Sequence, residues 1–204
     1  MSVGIDLTRI APGFADPTSG SQSVFRAVMD AVARPGTIAN LSFAPDAPAD
    51  LSRAAGAVAL TLFDFETLVW LDPAIDADHA QAWLRFHCGC PITADPAQAA
   101  FAIVSDAAKA PLLSAFNIGD AKYPDRSTTV ILEITSLSGG QPVTLRGAGI
   151  KGTTTVSPDG LPADFWGQLA ENNAGFQFGV DVLLVAGDQL MALPRSVRIQ
   201  SEGA

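Results

Sequence analysis

His87-Cys88-Gly89-Cys90 is the densest group of reactive side chains in the chain. Thiolates and imidazoles bind soft metals, but a closed site takes three or four of them. The sequence holds two cysteines and two histidines in all, the second histidine being His79. No metal site is expected on that supply. A cysteine nucleophile activated by His87 is the next reading, yet adjacent helical residues point in different directions. The third is structural, a helix end carrying two small buried thiols.

Arg26 and Arg34 lie two helical turns apart and could clamp a phosphate-like anion. Either could instead pair with Asp30 at i,i+4 spacing. Asp64 and Glu66 fall at a helix-to-strand break and could act as acid or base, or simply shape a turn. Arg26, Arg34, Asp64 and His87 are the candidate cleft residues. Gly147-Ala148-Gly149-Ile150-Lys151-Gly152 matches GxGxxG, but a dinucleotide site needs a helix next, whose amino terminus receives the pyrophosphate. Thr153-Thr154-Thr155-Val156-Ser157-Pro158 follows instead, so a turn or partner-contacting loop is expected. Pyridoxal phosphate chemistry would need a Schiff-base lysine. Lys109, Lys122 and Lys151 sit in loop-like or helix-start contexts, with Lys151 left open. No cofactor is expected.

The 204 residues carry a net charge of −9, which disfavours a nucleic-acid groove or an anionic membrane face. With only 12 lysines and arginines, any anionic ligand must be held by a few well-placed arginines. Hydrophobic residues make up 48% of the chain and charged residues 16%, more apolar surface than a monomer needs, which points to subunit contacts. The first residues lack a basic segment followed by an apolar core, so no secretory signal is expected. No apolar run is long enough to span a membrane. A cytoplasmic protein of one domain, residues 1–204 with residues 1–20 as an arm, is the expectation.

The elements that must position these residues read as follows. Val180 to Ala186 is almost continuously apolar, Gly187-Asp188 breaks it, and Leu190 to Leu193 resumes it. That is a hairpin whose first strand must be covered on both faces. Thr128–Ile134 is its expected sheet neighbour. A helix from about Ser21 to Ala33 should bury Val24, Phe25, Val28, Ala31 and Val32, and Arg34-Pro35-Gly36 should stop it. A strand at 37–43 and a helix from about Ala49 to Leu62 follow. Gly56 within that helix costs about 1 kcal/mol relative to Ala and suggests close packing. Next come a strand at 67–71, a helix over 77–87 capped by Asp76 or Asp78, and a strand at 101–104. A helix at 110–116, strands at 128–135 and 143–145, a loop at 147–160, a helix at 162–172 and a tail strand at 196–200 complete the chain. The pattern fits an α/β fold, a mixed-sheet α/β/α sandwich.

Several stretches in a fixed order carry a resemblance. They are FRAVMDAVARPGTI (25–38), AVALTLFDFETLVWL (57–71), RFHCGCPI (85–92), FAIVSD (101–106), STTVILEITSL (127–137), LRGAGI (145–150), FGVDVLLV (178–185) and ALPRSVRI (192–199). Together they resemble the PhnH family, subunits of the bacterial carbon–phosphorus lyase system of phosphonate breakdown. The resemblance implies the fold of the large domain of pyridoxal phosphate transferases, without the cofactor or its lysine. It implies assembly with PhnG, PhnI and PhnJ, and a homodimer when isolated. It also implies a supporting part in joining a phosphonate to ATP with release of adenine. Two other classes stand beside that one: an independent small-molecule enzyme on a transferase-like fold, and a regulator that senses phosphonate or nucleotide through Arg26 and Arg34.

Overall fold

The protein is described here by a computed structural model, in which residues 10–75 and 77–200 are placed. Helix α1 (Pro17–Ala33) starts one turn earlier than its apolar pattern suggests. The Asp16 carboxylate accepts the main-chain N–H groups of Thr18 and Ser19 at 3.0 and 3.1 Å, and Pro17 takes the first helical position. Both devices favour a helix start. Residues 17–20 therefore belong to the helix rather than to an arm. Strand β1 is Ile38–Asn40, shorter than the expected run. Helix α2 (Arg53–Leu62) is capped by Ser52, whose hydroxyl accepts the Ala55 N–H at 3.1 Å. Strand β2 is Val69–Leu71. A π-helical turn, Ala77–Gln81, leads into helix α3 (Ala82–Cys88), which ends at Gly89 in the left-handed conformation. The expected cap Asp76, and the side chain of Asp78, lie outside the described residues.

Strands β3 (Ile92–Thr93) and β4 (Phe101–Val104) follow. No α-helix forms over 110–116. Ala110 precedes a proline and takes an extended ψ of 136°, and only short 3-10 turns remain at Ala107–Lys109 and Leu113–Ala115. Strand β5 is Thr129–Glu133 and β6 is Val143–Arg146. Strand β7 (Thr154–Val156) lies inside the expected loop, where β-branched residues favour extended backbone. Helix α4 (Phe165–Ala174), strands β8 (Asp181–Ala186) and β9 (Gln189–Leu193), and the short β10 (Arg198–Ile199) complete the fold.

The large sheet runs β1-β9-β8-β5-β4-β2-β3, and β10-β6-β7 form a separate small sheet. The expected hairpin is present, with β8 and β9 antiparallel around Gly187-Asp188. Strand β5 is the parallel neighbour of β8. Strands β2, β3, β4, β5 and β8 are parallel to one another, while β9 and β1 run antiparallel to their neighbours, so the sheet is mixed.

Alternate side chains feed two cores. Leu183, Val185, Ile131, Ile103 and Val69 join the side chains of α1, α2 and α3 on one face. Val182, Leu184, Val130, Leu132 and Trp70 join α4 and the small sheet on the other. The second layer is thus one helix, a three-stranded sheet and turns, rather than a full layer of helices.

Val24, Val28 and Ala31 of α1 are buried as expected. Phe25 and Val32, expected on the same face, are exposed by 48% and 40%, and Met29 between them by 52%. These three recur at helical spacing on the outer side of α1. Helix α2 is instead buried all round from Ala54 to Ala59. A Cβ added at Gly56 would lie 2.8 Å from the Ala47 Cβ, which accounts for a glycine there. Gly56→Val is expected to destabilise the fold by about 1–3 kcal/mol through overpacking, read as a lower denaturation midpoint in urea at unchanged slope.

Candidate functional site

In an open α/β sheet, ligand crevices lie beyond the carboxyl ends of parallel strands where the strand order reverses. Here β3 lies on one side of β2, while β4 and β5 lie on the other. The residues just past that reversal are Asp72, after β2, and Ser105 and Asp106, after β4. Asp72 is buried, and its carboxylate accepts the Ala74 N–H at 2.9 Å, the Asp106 N–H at 3.3 Å and the Ser105 hydroxyl at 3.5 Å. It ties the two strand ends together. Asp106 accepts the Ala108 N–H at 3.1 Å and pairs with the Lys109 ammonium at 2.8 Å. The hydrogen bond from Lys109 holds the Asp106 carboxyl below the usual carboxylate range, and Lys109 is raised in return.

One strand further along, Glu133 closes β5. Its carboxylate accepts the Ser52 main-chain N–H at 2.8 Å, at the cap of α2. Burial pushes the Glu133 carboxyl up to about 7, against that hydrogen bond. A group poised there can exchange a proton near neutrality, but its bond is to main chain, and it serves as a strut between β5 and α2. Neither group is among the sequence candidates; an acidic residue directly behind an apolar strand run, as in Leu71-Asp72 and Leu132-Glu133, is the pattern that marks them.

The candidate residues read from the sequence sit elsewhere. His87 is on the last turn of α3, with its Nε2 3.0 Å from the Ala11 carbonyl oxygen. Trp83 donates its indole N–H to the same oxygen at 2.8 Å. The rings of Trp83 and His87 are stacked at a tilt, 4.9 Å between centroids. His87 therefore binds the segment before α1, not a cysteine.

Cys88 reaches the Ala59 carbonyl at 3.6 Å, and Cys90 is buried. The nearby Cys88 thiol favours the thiolate at Cys90, with Arg85 adding to the effect. The neighbouring Cys90, with burial, pushes Cys88 well up. Among the described residues, no three His, Cys, Asp or Glu side chains cluster as a metal centre.

Asp64 shapes the turn after α2, accepting the Glu66 N–H at 2.9 Å and the Thr67 hydroxyl at 2.8 Å. The Thr67 bond keeps its carboxyl below the usual range. Arg34 pairs with Asp30 at 3.1 Å, and Arg26 is exposed. Among the described residues no hydrogen bond or ion pair joins Arg26 or Arg34 to Asp64 or His87. The GxGxxG stretch forms the turn between β6 and β7, with no helix after it. A Cβ on Gly149 would collide with the Ala33 carbonyl oxygen, so this turn packs closely against the end of α1.

A family profile described as "Bacterial phosphonate metabolism protein (PhnH)" matches residues 12–200. The chain belongs to the PhnH family. It is 44% identical over 189 residues to the α-D-ribose 1-methylphosphonate 5-triphosphate synthase subunit PhnH of Rhizobium meliloti, covering 93% of this chain and 94% of that relative. A putative C-P lyase subunit protein, HtxG of Stutzerimonas stutzeri, is 32% identical over 87 residues, 43% of this chain and 45% of that protein. The match takes in Asp72, His87, Asp106 and Glu133, and begins one residue past Ala11.

Glu133 sets a pH dependence. Its folded pKa, pushed up to about 7, lies above the ordinary value of 4.5, so the folded state holds a proton that the unfolded chain releases. Its effect is to lower stability as pH rises from about 4.5 to 7, with no further change above. Glu133→Gln keeps an acceptor for Ser52 and should flatten that slope, gaining about 2 kcal/mol at pH 8 in chemical denaturation.

Proposed function

We propose that this chain is an accessory, non-catalytic subunit of an α-D-ribose 1-methylphosphonate 5-triphosphate synthase. In that role it supports the coupling of a phosphonate to ATP, with release of adenine, in phosphonate catabolism. The observation that carries the reading is the 44% identity, nearly end to end, with a subunit of that synthase.

The side-chain geometry supports a structural part. Asp72 and Glu133 are bonded to main-chain N–H groups, His87 to a main-chain carbonyl, and Asp64 to its own turn. These groups hold the fold together. Meanwhile α1 presents Phe25, Met29 and Val32 to solvent as a stripe suited to subunit contact.

In this reading the chain works in the cytoplasm with PhnG, PhnI and PhnJ and forms a homodimer when isolated. Its mixed sheet, with five parallel strands, forms the core of a transferase-type large domain that takes no pyridoxal phosphate. Lys151 sits in the β6–β7 turn and is exposed, which suits neither a buried aldimine nor a phosphate cup.

Co-expression with PhnG, PhnI and PhnJ tests the reading directly. The chain should elute with them as one species, and adenine release from ATP with methylphosphonate should fall to background when it is omitted. Phe25→Asp with Met29→Asp should abolish co-elution while leaving the thermal midpoint of the isolated chain unchanged. Full adenine release without the chain would sink the proposal.

A further inference from the structure

Several cations of this acidic chain are held by structural partners. Arg34 pairs with Asp30, Lys109 with Asp106 and Arg195 with Asp181, while Arg53 donates to the Ala44 and Pro45 carbonyls. Arg126 lies over the Tyr123 ring, 3.9 Å from its centroid. Arg146 and Arg198, like Arg26 and Lys151, are not held in this way. They are exposed, and among the described residues neither has a carboxylate or carbonyl partner.

The fold nevertheless places them face to face. Arg146 on β6 and Arg198 on β10 are direct cross-strand partners in the antiparallel ladder of the small sheet. Residues so paired have Cβ atoms about 5 Å apart on one face, and like charges in that relation repel. Both side chains line one hollow of about 380 Å³, together with Gly147, Ala148, Ser196, Asn173 and Phe176. Among the described residues no acidic side chain lines it.

The register that creates the conflict is enforced by close packing. A Cβ on Gly147 would sit 2.7 Å from the Ser196 carbonyl oxygen, so the turn after Arg146 presses against the segment leading into Arg198. Asn173, at the end of α4, donates to the Arg195 carbonyl at 2.8 Å and fixes the same segment from the other side. Phe176, 53% exposed, contributes an aromatic ring to the lining.

Two arginines lining one hollow, with no carboxylate among its described lining residues, can form a fork for a phosphate-type dianion, which each can engage through two N–H donors. The hollow is larger than a phosphate needs, and the Phe176 ring offers an apolar surface to whatever the phosphate is attached to. We propose that the Arg146–Arg198 hollow is a binding site for an organic phosphate, with the arginine pair holding the dianion and Phe176 contacting its organic part. This goes beyond the subunit role and does not depend on it, because the isolated chain is sufficient for the test.

The probes are phenyl phosphate and inorganic phosphate, titrated into the intact chain by calorimetry at fixed ionic strength. Phenyl phosphate should bind saturably, about tenfold or more weaker in Arg146→Gln and in Arg198→Gln, the loss expected for one charge-assisted contact. Phe176→Ala should weaken phenyl phosphate several-fold and leave inorganic phosphate unchanged. Without a probe, each arginine variant should melt at or above the parent's temperature, since it removes a like-charge repulsion and tests folding at the same time. The proposal is overturned if the parent shows no saturable heat up to about 5 mM phenyl phosphate, a very weak limit. It is equally overturned if a folded Arg198→Gln binds as the parent does, and the role of Phe176 falls if Phe176→Ala weakens both probes alike or neither.

Discussion

The burial of β8 on both faces sets the plan of this molecule. Val182 and Leu184 point into one core, Leu183 and Val185 into the other, and all four are almost fully excluded from solvent. A strand of this kind cannot lie at a surface, so two layers must form around it. Its hydrogen-bonding edges are also occupied on both sides, by β5 in parallel and β9 in antiparallel. Asn172 secures the entry to β8 by accepting from the Val180 N–H and donating to its carbonyl, at 2.8 and 2.9 Å. Asp181, the first residue of the strand, holds Arg195 at 2.7 Å, and Arg195 reaches on to the Pro124 carbonyl. The layers, the hairpin and the 120s loop are thus fastened at one end of a single strand.

The polar groups follow the same economy. A chain with 12 basic and 21 acidic residues has few cations to place, and several are committed to local structure. Two acids act as connectors between segments distant in sequence: buried Asp72 links the ends of β2 and β4, and half-buried Glu133 links β5 to the cap of α2. Glu133 does this at a cost, because a carboxylate in that surrounding is poorly solvated. Against this background the Arg146–Arg198 pair stands out as charge brought together by the fold without a local use.

Much of the framework was legible in the sequence because it depends on local patterns. The Val180–Leu193 hairpin, the strand at Phe101–Val104 and the glycine packing in α2 follow from apolar runs, a turn dipeptide and one misplaced small residue. The ion pair of Arg34 with Asp30 follows from helical spacing. What stayed hidden depends on tertiary context. The outward turn of Phe25 and Val32 could not be read from apolar spacing, since α1 is hydrophobic over more of its circumference than the sheet covers. The start of α1 was masked by Gly, Pro and Ser, which read as an arm until the Asp16 cap is recognised. Strand β7 was masked in the same way by the glycines and prolines around it. The arginine pair was invisible because Arg146 and Arg198 meet only through the register of a two-residue strand.

The large sheet ends in β1, three residues long, and β3, two residues long. Edges this short offer few unpaired main-chain groups to another chain. For a protein that is 48% hydrophobic, this closes the commonest route to strand-by-strand polymerisation. Contacts with neighbours are left to side-chain surfaces such as α1, where shape and charge decide which partner fits. The sheet can then be rich in apolar residues and still sit beside copies of itself at high local concentration without growing into them.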